Sequence, residues 1–231
     1  MFHFKQFSVA HDKCAMKVGT DGVLLGSWAK AKNAQKVLDI GTGTGLIALM
    51  LAQRFQNAQI MAIELDDNSS QQAAENFQNA PWSTRLSVEH VSLQNFHPPS
   101  TFDLIVSNPP YFENNLKANN RQRRQARHTD TLSFETLIKF SAKLLSDKGS
   151  LAIILPSVSK EKVEQIARKH HLHLNRLCWV KGTEKTAIKR AVMQLSFQEN
   201  ILEESTLIVE KERHVYTQEY TQLCKDFYLK M

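Results

Sequence analysis

Cysteine is scarce in this chain of 231 residues, which contains only three. Cys14, Cys178 and Cys224 lie far apart, so they cannot form a paired-cysteine zinc motif, and their odd number argues against a disulfide framework. The histidine-rich run at 170–173 has no cysteine or carboxylate at ligand spacing, and a helix end explains it better than a metal site does. We therefore expect three reduced thiols and no bound metal.

Long apolar runs are also missing. The longest uninterrupted one, residues 46–52, is far shorter than the roughly 20 residues that cross a bilayer. The first residues lack the basic start and continuous apolar stretch of a secretory signal. We expect a cytoplasmic protein with no membrane partner. With 42% hydrophobic and 23% charged residues, the composition is typical of a folded protein, and we predict a single domain over residues 1–231.

Acidic residues are absent from positions 114–128, where cations are concentrated. A second basic stretch, 160–190, carries nine Lys or Arg against three Glu. A solvated loop is the simpler explanation of a charge run taken alone, but clustered cations also neutralise the phosphates of nucleic acids. The asymmetry indicates a polyanionic partner, and the candidate residues for binding it are Lys117, Arg121, Arg123, Arg124, Arg127 and His128.

Short apolar runs alternate with helical patterns along the chain, without an internal repeat. The predicted strands are 36–40, 59–64, 86–91, 102–107, 149–155, 174–180 and 191–197, and the predicted helices include 46–55, 69–78, 133–146 and 159–171. Such alternation is typical of α/β proteins with a parallel sheet. We predict a doubly wound, mostly parallel seven-stranded, Rossmann-like sheet with its last strand antiparallel.

Three glycines follow the first of these strands in the sequence Asp39-Ile40-Gly41-Thr42-Gly43-Thr44-Gly45. Glycine permits positive φ and has no Cβ, so a nucleotide-like ligand can lie across the strand end. A carboxylate two residues before the first glycine would repel a dinucleotide pyrophosphate but can accept from an amino-acid ammonium, directly or through water. The turn therefore favours S-adenosylmethionine, with Asp39, Gly41, Thr42, Gly43 and Gly45 around it.

An acidic residue ends the next strand. Glu64 lies 19 residues beyond Gly45, where its carboxylate can accept from both ribose hydroxyls of the ligand. A solvated strand-end glutamate is the alternative, because Asp66 and Asp67 follow closely. We favour the ribose role and count the neighbouring Leu65 with the cofactor site.

The fourth strand leads into Asn108-Pro109-Pro110-Tyr111. The two prolines stiffen the backbone where doubly wound sheets bind ligands. If the Asn108 side-chain oxygen and the Pro109 carbonyl each accept an N–H of an exocyclic amine, they stabilise the positive charge that develops during alkylation. Tyr111 would stack on the base. A proline-terminated strand with a packed tyrosine is the simpler alternative, but the preceding glycine turn favours the catalytic interpretation, with Asn108 also next to the cofactor.

Such a pocket accepts only a base that is unpaired or flipped out of its stack. Looped or single-stranded nucleic acid is therefore favoured over an intact duplex. The arginine run begins ten residues after Tyr111, so we expect its cations at the rim of the pocket.

With its glycine turn and NPPY motif, the chain resembles the class I S-adenosylmethionine-dependent N-methyltransferases. The segments 4–7, 14–26, 124–128, 216–220 and 226–230 resemble the bacterial tRNA1(Val) adenine-N6 methyltransferase family over nearly the whole chain. The resemblance implies methylation of the adenine immediately 3′ of the anticodon, with S-adenosylhomocysteine as product, the tRNA anticodon loop as partner and no obligate protein partner.

The resemblance also implies an organisation into a cofactor-lid segment (1–32), a Rossmann-like core (33–198) and a C-terminal extension (199–231). Thr20 and Asp21 of the lid are candidate cofactor contacts, and either could instead cap the helix that runs to Trp28. Relatives commonly place an Asp where this chain has Ser92, and a hydroxyl is a weaker acceptor for the cofactor adenine.

Other functions fit the same motif. A DNA adenine methyltransferase would need a target-recognition region, for which little chain remains, and a protein-glutamine methyltransferase would not need the arginine run. Guanine-N2 methylation differs only in its product. A non-catalytic RNA-binding module would bind RNA independently of S-adenosylmethionine.

Overall fold

The computed structural model describes residues 1–14, 17–110 and 132–231. Its strands are β1 (Phe2–His3), β2 (Ser8–Val9), β3 (Lys36–Ile40), β4 (Gln59–Glu64), β5 (Leu86–His90), β6 (Phe102–Ser107), β7 (Leu145–Pro156), β8 (His173–Lys181), β9 (Ile188–Ser196), β10 (Glu203–Ile208), β11 (Glu210–Glu212) and β12 (Val215–Tyr216). Its helices are α1 (Thr20–Trp28), α2 (Leu46–Arg54), α3 (Asp67–Gln78), α4 (Phe134–Leu144), α5 (Lys160–Lys169) and α6 (Gln218–Cys224).

Eight of the described strands form one sheet in the order β10-β8-β9-β7-β6-β3-β4-β5. All pairs are parallel except those made by β9, which runs antiparallel to both β7 and β8. The predicted mostly parallel sheet is therefore confirmed, and β9, the last of the seven predicted strands, is the antiparallel one. It has one strand more than the seven predicted, since β10 pairs with β8 within the segment predicted as a C-terminal extension.

Side chains alternate across the sheet because successive residues of a strand point to opposite faces. Leu104 and Val106 of β6 belong to the core layer formed with α1, α2, α3 and α6. Ile105, between them, belongs to the layer formed with α4 and α5. Both faces of the central strands are thus covered, which explains why these strands are continuously apolar.

Caps fix where several helices begin. Asp66 accepts from the Ser69 amide before α3, Ser133 from the Thr136 amide before α4, and Thr217 from the Tyr220 amide before α6. These contacts satisfy amide groups that a first helical turn leaves unpaired. Helix α3 consequently begins two residues before the predicted position 69.

The start of β7 differs from the predicted position 149. This strand begins at Leu145, directly after α4, and its register shifts between the pairs Leu145–Phe102 and Ser150–Leu104. The predicted helix 133–146 is accordingly shorter than expected. Gly149 makes the bulge possible, because a Cβ there would lie 2.6 Å from the Phe102 carbonyl oxygen.

The two ends of the described chain meet beside the α1, α2, α3 and α6 layer. The Lys5 amide donates to the Phe227 carbonyl at 2.8 Å, and Phe4 and Phe7 are buried with Tyr220 and Phe227 in that layer. None of the described helices has both the length and the apolar character needed to cross a bilayer.

Candidate methyl-transfer site

Three adjacent strands bring the predicted site together. In the order β6-β3-β4, the carboxyl ends carry Asn108, the glycine turn and Glu64, respectively. The Ser107 hydroxyl donates to the Ile40 carbonyl at 2.9 Å, which fastens the end of β6 to the last residue before the turn. Parallel strands place all three features at one edge of the sheet, where ligands of doubly wound sheets bind.

Backbone hydrogen bonds hold the glycine turn against β4. The amides of Gly41 and Thr42 both donate to the Ile63 carbonyl, at 2.9 and 3.2 Å, and the Gly45 amide donates to Thr42. Gly41, Gly43 and Gly45 have φ values of 69°, 57° and 82°. Such values strain any residue with a Cβ, so the predicted need for glycine at this turn agrees with its backbone.

The three glycines have different surroundings. A Cβ on Gly41 or Gly43 would meet no heavy atom within 4 Å, whereas a Cβ on Gly45 would lie 2.5 Å from the Phe77 ring. Gly41 and Gly43 therefore border open space that a ligand can occupy. Gly45 allows α2 and α3 to pack closely, a requirement that the sequence motif did not reveal.

The Asp39 side chain is fully buried. Its Oδ2 accepts from the Thr42 hydroxyl at 2.6 Å and from the Ala48 amide at 3.1 Å. Burial raises the pKa of Asp39 to about 7, against the lowering effect of these two donors. Oδ1 is buried without a hydrogen-bond partner among the described residues. Asp39 thus ties the turn to α2 and leaves one acceptor atom for a further donor.

Glu64 is engaged by the backbone on both carboxylate oxygens. Oε2 accepts from the Gly43 amide at 2.8 Å, and Oε1 accepts from the amides of Leu65 and Asp66 at 2.8 and 3.0 Å. A carboxylate offers about four lone-pair positions, and three are taken by these amides. Roughly one therefore remains for a ribose hydroxyl, and a second becomes available only if the hydrogen bond from the Gly43 amide breaks. Sequence reasoning placed Glu64 at the site but missed that it also holds the turn.

Leu65 and Ser92 lie beside Glu64. Leu65 is 48% exposed, so its side chain is accessible to a ligand. The Val91 amide donates to the Glu64 carbonyl at 3.0 Å, which brings the following Ser92 to the same edge. Ser92 precedes a short 3-10 turn without a side-chain cap bond. Both residues therefore occupy positions compatible with the predicted cofactor contact.

The start of α1 reaches the same edge by a contact that the sequence did not predict. Gly19, rather than Thr20 or Asp21, is the N-cap residue, so the capping alternative for these two residues is wrong. Asp21 instead accepts from Arg190 Nε at 2.7 Å, which joins α1 to the third residue of β9. Thr20 is exposed. Nothing in the local sequence pattern signals a pair separated by 169 positions.

The predicted catalytic turn leaves β6 next to the glycines. Asn108 is half-buried, Pro109 is buried and Pro110 is exposed. Tyr111 and the predicted RNA-binding residues lie outside the described residues, namely Lys117, Arg121, Arg123, Arg124, Arg127 and His128.

The described residues fit S-adenosylmethionine. Open space lies beside Gly41 and Gly43, Asp39 Oδ1 is an orphaned buried acceptor, and Glu64 stands at the neighbouring strand end. Clusters of His, Cys, Asp or Glu that could hold a metal ion are not found in the described part of the chain. Two carboxylates beside open space suit an organic cation that also carries hydroxyl groups.

This fold and this site define a class I methyltransferase, a class whose fold implies the use of S-adenosylmethionine. Solved structures agree on the fold. A predicted O-methyltransferase from Agrobacterium tumefaciens matches with a TM-score of 0.70, 18% identity and coverage of 90% of this chain and 96% of that one. A ribosomal protein L11 methylase from Lactobacillus delbrueckii subsp. bulgaricus matches with a TM-score of 0.58, 19% identity and coverage of 81% and 83%.

Sequence comparison is more specific. The methyltransferase small domain model matches residues 14–177. The tRNA1(Val) (adenine(37)-N6)-methyltransferase of Flavobacterium psychrophilum is 48% identical, with 100% of both chains covered. Its counterpart in Pseudoalteromonas translucida is 46% identical, covering 100% of this chain and 99% of that protein. The chain belongs to the methyltransferase small domain family and, within it, to the tRNA1(Val) (adenine(37)-N6)-methyltransferase family.

Proposed function

We propose that the protein transfers a methyl group from S-adenosylmethionine to the exocyclic N6 of adenine 37 in tRNA1(Val). The observation that carries this proposal is the placement of Asn108 and Pro109 beside the glycine turn, fixed by the bond from Ser107 to Ile40. The tRNA species and the position come from the names of relatives that match over their full length. The reaction would take place in the cytoplasm, where the tRNA substrate is found.

The cofactor site is formed by the glycine turn with the strand ends on either side. We assign Asp39, Gly41, Thr42, Gly43 and Glu64 to it on the contacts described above, with Thr20, Asp21, Leu65, Ser92 and Asn108 at its borders. When bound, S-adenosylmethionine supplies an electrophilic methyl group, with S-adenosylhomocysteine as the product. No metal is needed for this chemistry.

The acceptor site follows from the chemistry of the amine. The lone pair of adenine N6 is delocalised into the ring, so the nitrogen is a poor nucleophile. If the Asn108 side-chain oxygen and the Pro109 carbonyl each accept one N–H, they stabilise the positive charge that grows on nitrogen. Tyr111 would stack on the base and exclude water. The surplus proton leaves to solvent after alkylation, so no general base is required before transfer.

Unpaired bases suit this arrangement because the pocket lies at a sheet edge that a stacked base cannot enter. An anticodon loop presents such bases at less cost than a duplex does. The arginine run that follows Tyr111 would hold the loop phosphates. The full-length relatives do not favour the DNA, guanine, glutamine or non-catalytic alternatives.

The test is product analysis with a matched control. The purified protein and S-adenosylmethionine are incubated with transcribed tRNA1(Val), and the nucleosides are identified by mass spectrometry. We expect N6-methyladenosine from wild type and from Asn200→Ala, an exposed asparagine outside the site. Asn108→Ala should lower the single-turnover rate about 100-fold or more, since it removes an interaction with developing charge, while S-adenosylmethionine binding stays nearly unchanged.

Two results would contradict the proposal. An unchanged rate for Asn108→Ala would remove the acceptor role. A wild-type product on tRNA whose position 37 carries guanine, or no product at all despite cofactor binding, would overturn the proposed target.

A further inference from the structure

The second basic stretch, residues 160–190, is divided by the fold between two edges of the sheet. Arg168 and Lys169 end α5, at the edge opposite Asn108. The turn between β8 and β9, residues 182–187, lies at the same edge as Asn108, because β8 runs parallel to β6 through β7 and β9 returns antiparallel. Only part of the stretch can therefore act at the site.

Strand register gives the distance of this turn from the site. Ser107 pairs with Ile153 on β7, and three residues further along β7 Pro156 pairs with Arg190 on β9. Two strand spacings, about 10 Å, therefore separate β9 laterally from β6. The bond from Arg190 to Asp21 ties this end of β9 to α1, so the β8–β9 turn stands beside the cofactor side of the site as well.

Four of the nine cations of the stretch form ion pairs with acidic residues that the structure describes. Lys160 and Arg168 both contact Glu164, Arg176 contacts Glu203, and Arg190 contacts Asp21.

Lys185 and Lys189 differ from these cations. Both are exposed, and neither forms an ion pair with another residue that the structure describes. The one acid of the turn, Glu184, is also exposed, and its backbone carbonyl accepts from Lys181 Nζ. Two lysines at the site edge thus remain available for an external anion.

Two exposed aliphatic side chains accompany these lysines. Val158 is 82% exposed and Ile188 is 40% exposed. The Ser157 hydroxyl donates to the Ile188 carbonyl at 2.9 Å, which holds the two segments together. We call Val158, Lys185, Ile188 and Lys189 the hairpin surface. Cations beside aliphatic groups match a sugar–phosphate chain, which presents charged phosphates and less polar sugar faces in alternation.

We propose that the hairpin surface binds the sugar–phosphate backbone of the substrate RNA, on the side of the site away from Glu64. This inference rests on the proposed function, since it names a second contact for the same substrate. The lysines would neutralise phosphates while Val158 and Ile188 pack against sugars. Phosphate contacts position a substrate without reading its sequence, so the surface contributes affinity and orientation rather than choice of base.

The test compares two double variants that remove the same charge. Lys185→Gln with Lys189→Gln removes the free cations of the hairpin surface. Lys148→Gln with Lys169→Gln removes two exposed lysines at the opposite edge of the sheet. Binding of fluorescein-labelled tRNA1(Val) transcript is measured by anisotropy over a series of KCl concentrations, and methyl transfer is measured on the same RNA.

We expect the hairpin variant to bind about tenfold more weakly at low salt, with a slope of log K against log[KCl] reduced by about 1 per lysine. Its KM for RNA should rise while kcat and S-adenosylmethionine affinity stay near wild type. The opposite-edge variant should behave like wild type.

Equal effects of the two variants on affinity and slope would overturn the hairpin surface while leaving the proposed function intact, provided that wild type methylates the RNA. A wild type that does not methylate this RNA would overturn the proposed function and the inference together. An altered S-adenosylmethionine affinity with an unchanged salt slope would also refute the inference, because the hairpin would then act on the cofactor.

Discussion

At the residue scale, Asp39 shapes the glycine turn and is also the acceptor that we propose for the cofactor. It accepts two hydrogen bonds that shape the glycine turn, yet it is buried so fully that desolvation dominates its titration. The sequence predicted a cofactor contact for this acid, because it lies two residues before Gly41. It could not predict the donors, because these depend on how the turn folds back toward α2.

The raised pKa of Asp39 predicts a pH-dependent stability. The unfolded carboxyl ionises near its ordinary 3.8, whereas the folded one keeps its proton up to about 7. The folded state therefore binds more protons in this window, so the Asp39 contribution to the free energy of unfolding falls as pH rises. Asp39→Asn has no such titrating group. Its free energy of unfolding, relative to that of wild type, should therefore rise with pH by at most about 1.4 kcal/mol per pH unit between these values.

Urea unfolding of both proteins between these two pH values measures the difference, with Asp147→Asn, at an exposed carboxyl, as control. Parallel stability curves for wild type and Asp39→Asn would show that Asp39 does not retain its proton in the folded protein.

At the scale of elements, most strands could be predicted because a short, continuously apolar run is typical of a strand buried on both faces. The bounds of β3, β4 and β6 match the predicted 36–40, 59–64 and 102–107. Strand β10 could not be found in this way, since four of its six residues are exposed at the sheet edge and show no apolar run. The start of β7 was missed because its bulge is stabilised by contacts with β6 and not by local sequence.

The bulge of β7 supplies the prediction at this scale. A Cβ on Gly149 would lie 2.6 Å from the Phe102 oxygen and 3.1 Å from the Ser146 oxygen, and neither backbone atom can move freely within the sheet. Gly149→Ala should lower the free energy of unfolding by about 1–3 kcal/mol. Gly182→Ala is the control, because its nearest neighbour would be 3.6 Å away. Urea unfolding checks this, and equal stability of the two variants would disprove the constraint.

At the scale of the whole molecule, we expect binding of the RNA to draw on cations from separate parts of the chain. The sequence predicted the arginine run, and the fold adds the hairpin surface. The relative position of such segments was not predictable, because it depends on strand order. The ion pair between Arg190 and Asp21 was hidden for the same reason.

Separate contacts predict additive effects on salt dependence. Arg123→Ala with Arg124→Ala should weaken tRNA binding and reduce the salt slope by about 1 per residue. Combining these changes with Lys185→Gln and Lys189→Gln should reduce the slope by the sum of the two effects. Anisotropy titrations of the four proteins in KCl decide this. A combined variant no weaker than either double variant would mean that both sets neutralise the same phosphates.

The antiparallel course of β9 has a consequence for how such an enzyme can change over evolution. If β8 and β9 were parallel, a crossover connection, usually a helix, would have to join them. Because they are antiparallel, the short turn 182–187 is enough. Residues can be inserted or exchanged in that turn without altering strand order or the cofactor turn, which lies on the other side of β6. The contacts proposed for the RNA backbone can therefore vary at this end of the sheet while the strand order and the glycine turn stay the same.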